Sequence, residues 1–127
     1  MLGTYTLSKG YADQYYNMAQ KVRTLYLEDY KKLFQKYDVL VSPTSPGYAK
    51  ELGASFSSPL FGELEDMLLE ASSVSGLPGI SVPFYHDEKS NLYLGANFIA
   101  PMWQEEKVIK IADAFEKNTK WNSWRNQ

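Results

Sequence analysis

The sequence predicts an α/β fold in which a mixed β-sheet of about three strands is covered by three helices. Large apolar residues recur at helical spacings over three stretches, 8–35 (steps of three, four and seven), 59–75 and 104–117 (steps of three and four), which is the period of a helix with one buried face. Short apolar runs at Val39-Leu40-Val41, Ile80-Ser81-Val82 and 92–99 are bounded by Gly, Pro and polar residues, as strands are. Joining the second helix to the second strand is Ser72-Ser-Val-Ser-Gly-Leu-Pro-Gly-Ile-Ser-Val-Pro83. Here Gly76 can take the left-handed conformation that ends a helix, and Pro78 cannot continue it.

With 127 residues, 44% hydrophobic and 15% aromatic, the chain has the size of one domain and enough apolar side chain for a core. Its charged fraction is 22% and its formal net charge −2, with no block of like charge, so neither a disordered tail nor a nucleic-acid arm is expected. The absence of cysteine excludes disulfides, thiolate metal sites and a cysteine nucleophile, and fits a reducing compartment. No apolar run approaches the roughly 18 residues of a membrane span, and there is no secretory signal pattern. A cytoplasmic location away from membranes is expected.

In chain order, the first helix presents Tyr11, Tyr15, Met18, Val22, Leu25, Tyr26, Leu33 and Phe34 on one face. Ser8 is placed to cap it, with Asp13 at the favourable end of the dipole and Lys36 at the other. At 1.5 Å per residue this helix is roughly 42 Å long, more than a small domain is wide. Val39-Leu40-Val41 reads as a strand buried on both faces, ended by Ser42-Pro-Thr-Ser-Pro-Gly47. A loop from Gly47 to Ser58 follows, and Ser58-Pro59 has the chemistry of a helix start. The second helix buries Leu60, Leu64, Met67, Leu68, Ala71 and Val74. After Pro83 a polar turn over 85–91 carries the one histidine, and a strand over 92–99, broken at Gly95, returns as a hairpin. The third helix turns Val108, Ile111, Ala112 and Phe115 inward, and Trp121 and Trp124 lie in the tail.

Few residues suggest chemistry by themselves. Ser42 and Ser45 sit in a turn after a strand, but no Gly-x-Ser-x-Gly surrounds them, and their expected role is to bond local backbone. His86 has Asp87 and Glu88 beside it but no convergent metal or triad partners in the sequence, and reads as a surface residue. Glu63, Glu65, Asp66 and Glu70 cluster on the second helix, and Glu63, Asp66 and Glu70 share a face by spacing. A solvated acidic face accounts for them. Arg23, in Lys21-Val22-Arg23-Thr24, is expected to act structurally, bonding a neighbouring loop or a second protomer.

Gly76-Leu77-Pro78-Gly79-Ile80-Ser81-Val82-Pro83 resembles the Gly-Leu-Pro-(Ala/Gly)-Ile-Ser-Val-Pro segment of amidase signature enzymes, above all the A subunits of glutamyl-tRNA(Gln) amidotransferases. Leu2-Gly-Thr-Tyr-Thr-Leu-Ser8, Gly10-Tyr11, Tyr15-Tyr16, Ala19-Gln-Lys-Val-Arg-Thr-Leu25 and Tyr37-Asp-Val-Leu-Val-Ser-Pro-Thr44 agree with it in order. The resemblance runs from Leu2 to about Thr119 and implies that residues 1–127 are a single C-terminal segment of an amidase-like domain. It places the family's Ser, cis-Ser, Lys triad upstream of the matched region, so no catalytic residue and no metal ligand is assigned here. One substrate-binding residue is implied: Asp66, ten residues before Gly76, corresponds to the aspartate expected to hold the α-amino group of glutamine. Nearby, Glu65, Ala71 and Ser73 depart from the Asn, Pro and Asn of the family pattern. The implied parent hydrolyses glutamine and passes ammonia to other amidotransferase subunits (B and C), which use ATP and Mg and carry most of the contact with tRNA; the segment itself is expected to need no cofactor. An amidase acting on another amide, and a non-catalytic structural or interaction module, are the alternative readings.

Overall fold

The computed structural model describes residues 15–53 and 61–120. Within them helix α1 (Asn17–Phe34) leads to strand β1 (Leu40–Pro43), helix α2 (Phe61–Ser75), strands β2 (Gly79–Asp87) and β3 (Leu92–Ile99), and helix α3 (Glu105–Asn118). The predicted helix starts at Ser8 and Ser58-Pro59, the positions Tyr11, Asp13 and Leu60, and the tail residues Trp121 and Trp124 lie outside the described residues, as do the side chains of Glu63, Leu64 and Glu65.

β3 is the middle strand of the order β1-β3-β2. Both ladders are antiparallel, with Leu40 opposite Ile99 on one side and Gly79 opposite Ile99 on the other. The sequence predicts a mixed sheet; among the described residues no parallel pair forms. A turn as short as 88–91 can join only antiparallel neighbours, and β1, although it runs in the direction of β2, is separated from it by β3.

Three further expectations are corrected. Pro83 does not close β2, which continues to Asp87 with a register shift between Pro83 and Tyr85. A proline is tolerated there because β2 is at the sheet edge among the described residues and the irregularity falls beside it. Gly95 does not break β3. It admits Thr44 instead, since a Cβ at this position would lie 2.7 Å from Thr44 Oγ1. β1 is not buried on both faces: its residues alternate between half-buried and exposed, and Val41 is 63% exposed.

The two leading helices also differ from their predicted faces. Gln20, Arg23, Leu27, Tyr30 and Phe34 are half-buried on α1, a three-four repeat that packs toward Leu77, Pro101 and Met102. Tyr15, Met18, Val22 and Leu25 form a second stripe, and all are exposed. Two apolar stripes share one helix, and the described residues cover only one of them. On α2, Leu68 and Ala71 are half-buried as predicted, whereas Met67 and Val74 are exposed.

The core lies between the sheet and α3. Val82, Ala96, Phe98 and Ala112 are buried, with Val39, Ile80, Ile111 and Phe115 packed against them. The Phe98 and Phe115 rings meet at 5.5 Å in a tilted arrangement, favourable for aromatic quadrupoles. The inward set predicted for α3 is the observed one. Exposed pairs Glu106–Lys110 and Asp113–Lys117 lace its outer side, and Lys107 reaches Asp38 at 3.0 Å; solvent-facing pairs of this kind contribute little.

At the α2–β2 corner, Leu77 N–H donates to Ser72 O at 3.1 Å and Gly76 N–H to Ser73 O at 3.0 Å, the paired bonds of a Schellman motif. Gly76 has φ +68°. Ala100 N–H then donates to Pro78 O at 3.0 Å, fastening the end of the corner to the residue after β3.

Two substitutions test these close fits by thermal unfolding followed by circular dichroism. Gly76→Ala meets no side-chain crowding, its nearest neighbour being Arg23 at 3.8 Å, so only backbone strain acts; the expected loss is about 1 kcal/mol. Gly95→Ala drives a methyl into Thr44 and is expected to lose about 1–3 kcal/mol. Thr44→Gly in the same chain should recover part of that loss, and strictly additive effects would contradict the steric account.

Candidate functional site

Asp66 lies on α2, in its N-terminal half, and its side chain is exposed. Leu68, two residues on, is about 200° away around the helix and lines a cavity on the sheet. Asp66 therefore points away from that cavity. Glu70, one turn further along the Asp66 side, is exposed as well.

Arg23 of α1 is one of the groups that tie down the end of α2. Its Nε donates to Val74 O at 2.8 Å, one of the terminal carbonyls that a helix leaves without an internal partner. The Schellman bonds satisfy Ser72 and Ser73, and the guanidinium satisfies Val74 while placing positive charge at the negative end of the helix dipole. Arg23 has the structural role expected of it. From Val74 to Asp66 is eight residues, about 12 Å along a rigid helix.

The cavity, 630 Å³ in volume, is walled by Val41, Pro43, Leu68, Phe84, Phe98 and Phe115. Ser42 and Ser45 also line it. Ser45 Oγ donates to Gly47 O at 2.8 Å, and Ser42 Oγ is buried without a hydrogen-bond partner. Neither hydroxyl is bonded to a base, which a nucleophilic serine requires. Sequence reasoning missed a polar row on the sheet face opposite Val41 and Phe98: Ser42, Asn97 and Ser81 stand opposite one another across the three strands, and Thr44 Oγ1 donates to Ser81 Oγ at 3.0 Å. The pair is 37 residues apart in sequence, and the one local hint was the glycine at 95.

His86 belongs to the hairpin. Its ring stacks on Tyr93 at 4.4 Å, and Nε2 lies 2.9 Å from Asn91 Oδ1. Asp87 organises the turn: the Ser90 hydroxyl and the backbone N–H groups of Lys89 and Ser90 donate to its carboxylate. The Ser90 hydroxyl bond, with help from those N–H groups, holds the Asp87 carboxyl below its ordinary pKa. His86 and its acidic neighbour are thus engaged in building a turn. Among the described residues no group of three or more His, Cys, Asp or Glu is arranged to hold a metal ion, and no helix is long and apolar enough to cross a membrane.

A family model for amidases matches residues 1–109. Over 122 residues the chain is 44% identical to the A subunit of glutamyl-tRNA(Gln) amidotransferase from Microcystis aeruginosa and 43% identical to that from Nostoc sp., covering 96% of this chain and 25% of each relative. The crystal structure of the A subunit of glutamyl-tRNA(Gln) amidotransferase from Thermotoga maritima matches with a TM-score of 0.78 and 38% identity, over 94% of this chain and 26% of that one. The chain spans about a quarter of the length of the curated relatives it matches. With sequence and backbone in agreement over nearly all of its residues, the chain belongs to the amidase family.

Proposed function

We propose that this chain is the C-terminal region of the glutamine-hydrolysing A subunit of a glutamyl-tRNA(Gln) amidotransferase. The observation that carries the reading is the likeness to such proteins, in sequence and in backbone, over almost the whole chain. The parent hydrolyses glutamine at a Ser, cis-Ser, Lys triad built from upstream residues. It works in the cytoplasm and delivers ammonia to its B and C partners, which amidate glutamyl-tRNA using ATP and Mg.

In this reading Asp66 forms part of the pocket wall and holds the α-amino group of glutamine. An aspartate suits that task because a carboxylate accepts from an ammonium with charge assistance, and a closed site strengthens the bond. Its exposure on α2 fits a wall whose facing side comes from the upstream part of the parent. α2 offers a firm mounting, being tied at its far end by Arg23.

Two measurements check this. The purified 127-residue chain is expected to release no ammonia from glutamine above the blank, and turnover would place the nucleophile here after all. In a complete parent enzyme carrying this segment, Asp66→Ala should reduce kcat/KM for glutamine roughly 10- to 100-fold, the range of a charged hydrogen bond. Hydrolysis of a simple carboxamide should change little. Equal losses on both substrates would favour an amidase acting on another amide.

A further inference from the structure

β2 has no neighbour on its outer side among the described residues. Pro78 O accepts from Ala100 N–H, so by the alternation of an antiparallel ladder Ile80 and Val82 face β3, while Gly79 and Ser81 direct their N–H and C=O outward. Pro83 falls on the same outward side, where the ladder does not need its missing N–H. An outward proline with a register shift beside it is a device that keeps a sheet edge from being extended. It stops short of Gly79 and Ser81, both exposed. There the edge borders a groove of 550 Å³ between β2 and α3, walled by Gly79, Ile80, Glu105, Val108 and Ile109 among others. Glu105 is the one charged residue of that wall. Elsewhere on α3, Glu106 and Asp113 are paired with lysines, whereas Glu105 has no ion pair among the described residues. Trp103, in the turn leading into α3, holds an unfavourable backbone: Gln104 N–H donates to Pro101 O at 3.1 Å and Trp103 has φ +66°, the position of a type II turn that glycine normally takes. Its side chain is nevertheless 82% exposed, so burial among the described residues does not offset the strain.

We propose that the outer edge of β2 and this groove bind an extended segment of a companion subunit, paired with Gly79 and Ser81 as a short added strand and carrying a lysine or arginine against Glu105 and Trp103. It rests on the family reading above and deepens it by naming a surface that a partner meets. The occupant is a polypeptide because the backbone groups of Gly79 and Ser81 are complemented by those of another strand. One of its side chains is basic because a carboxylate and an indole face both favour a cation, and Arg23, near the other end of the corner, is already engaged with Val74 O. An apolar side chain covers Ile80 and Ile109, the latter 59% exposed. A continuation of the parent's own sheet is disfavoured at this border, since a full neighbouring strand would meet the outward face of Pro83 and the irregularity after it. A partner segment needs only the stretch from Gly79 to Ser81. Trp103 then has a reason to stand where glycine is easier, as an exposed aromatic anchor beside the start of α3.

The test uses a complete parent A subunit carrying this segment, with its B and C partners supplied as a purified pair. Amide exchange at Gly79 and Ser81 should be fast in the A subunit alone and slow at least tenfold on complex formation, a readout that needs no variant. By sedimentation velocity Glu105→Lys should weaken the complex tenfold or more, while Glu116→Lys, the same charge change at an exposed position about three turns further along α3, should change affinity less than twofold. Trp103→Gly removes the backbone strain, so it should weaken the complex about tenfold without lowering the thermal midpoint of the A subunit, a combination that a purely structural tryptophan would not give. Exchange at Gly79 and Ser81 that is already slow in the A subunit alone, exchange unchanged by the partners, or an affinity indifferent to both Glu105→Lys and Trp103→Gly would each overturn the assignment. An A subunit that makes this contact but shows no Asp66-dependent hydrolysis of glutamine would leave the surface standing and count against the functional reading alone, and hydrolysis without any change at Ser81 would do the reverse.

Discussion

The end of α2 is where most of the chain is fastened. Two backbone bonds close the helix onto Ser72 and Ser73, Arg23 bonds Val74 from α1, and Ala100 bonds Pro78 from beyond β3. Ser75 and Ala100, each with no exposed surface, mark the tightest packing among the described residues. α1, α2, β2 and the close of β3 thus meet at one corner, whose path depends on a residue that accepts positive φ. A side chain at Gly76 would strain that path, and the angle between α2 and the sheet would have to absorb the difference.

From this corner burial spreads unevenly. β3 passes from half-buried at 92–95 to fully buried at 96–99, because only its second half lies under the packed side of α3 and beside the corner. The rest of the apolar surface is left open: Met18, Val22 and Leu25 on α1, Val41 on β1, Met67 on α2 and Phe84 on β2. Fully burying a side chain of this kind contributes about 1.5–3 kcal/mol, so several together rival the net stability of an ordinary domain. Among the described residues these surfaces have no covering layer, which fits the proposed reading of the chain as one region of a larger parent.

Much of the architecture is legible from local chemistry. The corner follows from Gly76 and Pro78, the hairpin from a polar turn between two apolar runs, and the inward side of α3 from its spacing. The misreadings arise where the deciding contact is distant. Periodicity identifies an apolar stripe but not which stripe is covered, and so on α1 it points to the exposed one. Pro83 looks like a stop because a sequence does not show that its strand is an edge. Gly95 looks like a break because Thr44, which needs the space, lies far back along the chain in the turn after β1. Asp66 is the extreme case: spacing places it on an acidic face, and the ligand proposed for that carboxylate comes only from likeness to a family.

The placement of Asp66 also bears on the substrate-binding role proposed for it, since so open a structure must be compatible with that role. A carboxylate exposed on a helix has no strong preference of its own for one ligand. Selectivity arises when opposing groups and a lowered dielectric surround it, and in the reading proposed above those come from the upstream part of the parent. What these residues must provide is a fixed position, and α2 provides it through anchors at its other end: a buried corner, a guanidinium on Val74 and a bond from Ala100 to Pro78. Because a helix transmits a displacement of one end to the other with little bending, holding Val74 also holds a side chain about 12 Å away. Under the proposed function, the order of the corner and the openness of the acidic face fit one division of labour, in which these elements set geometry and a facing part of the parent supplies enclosure.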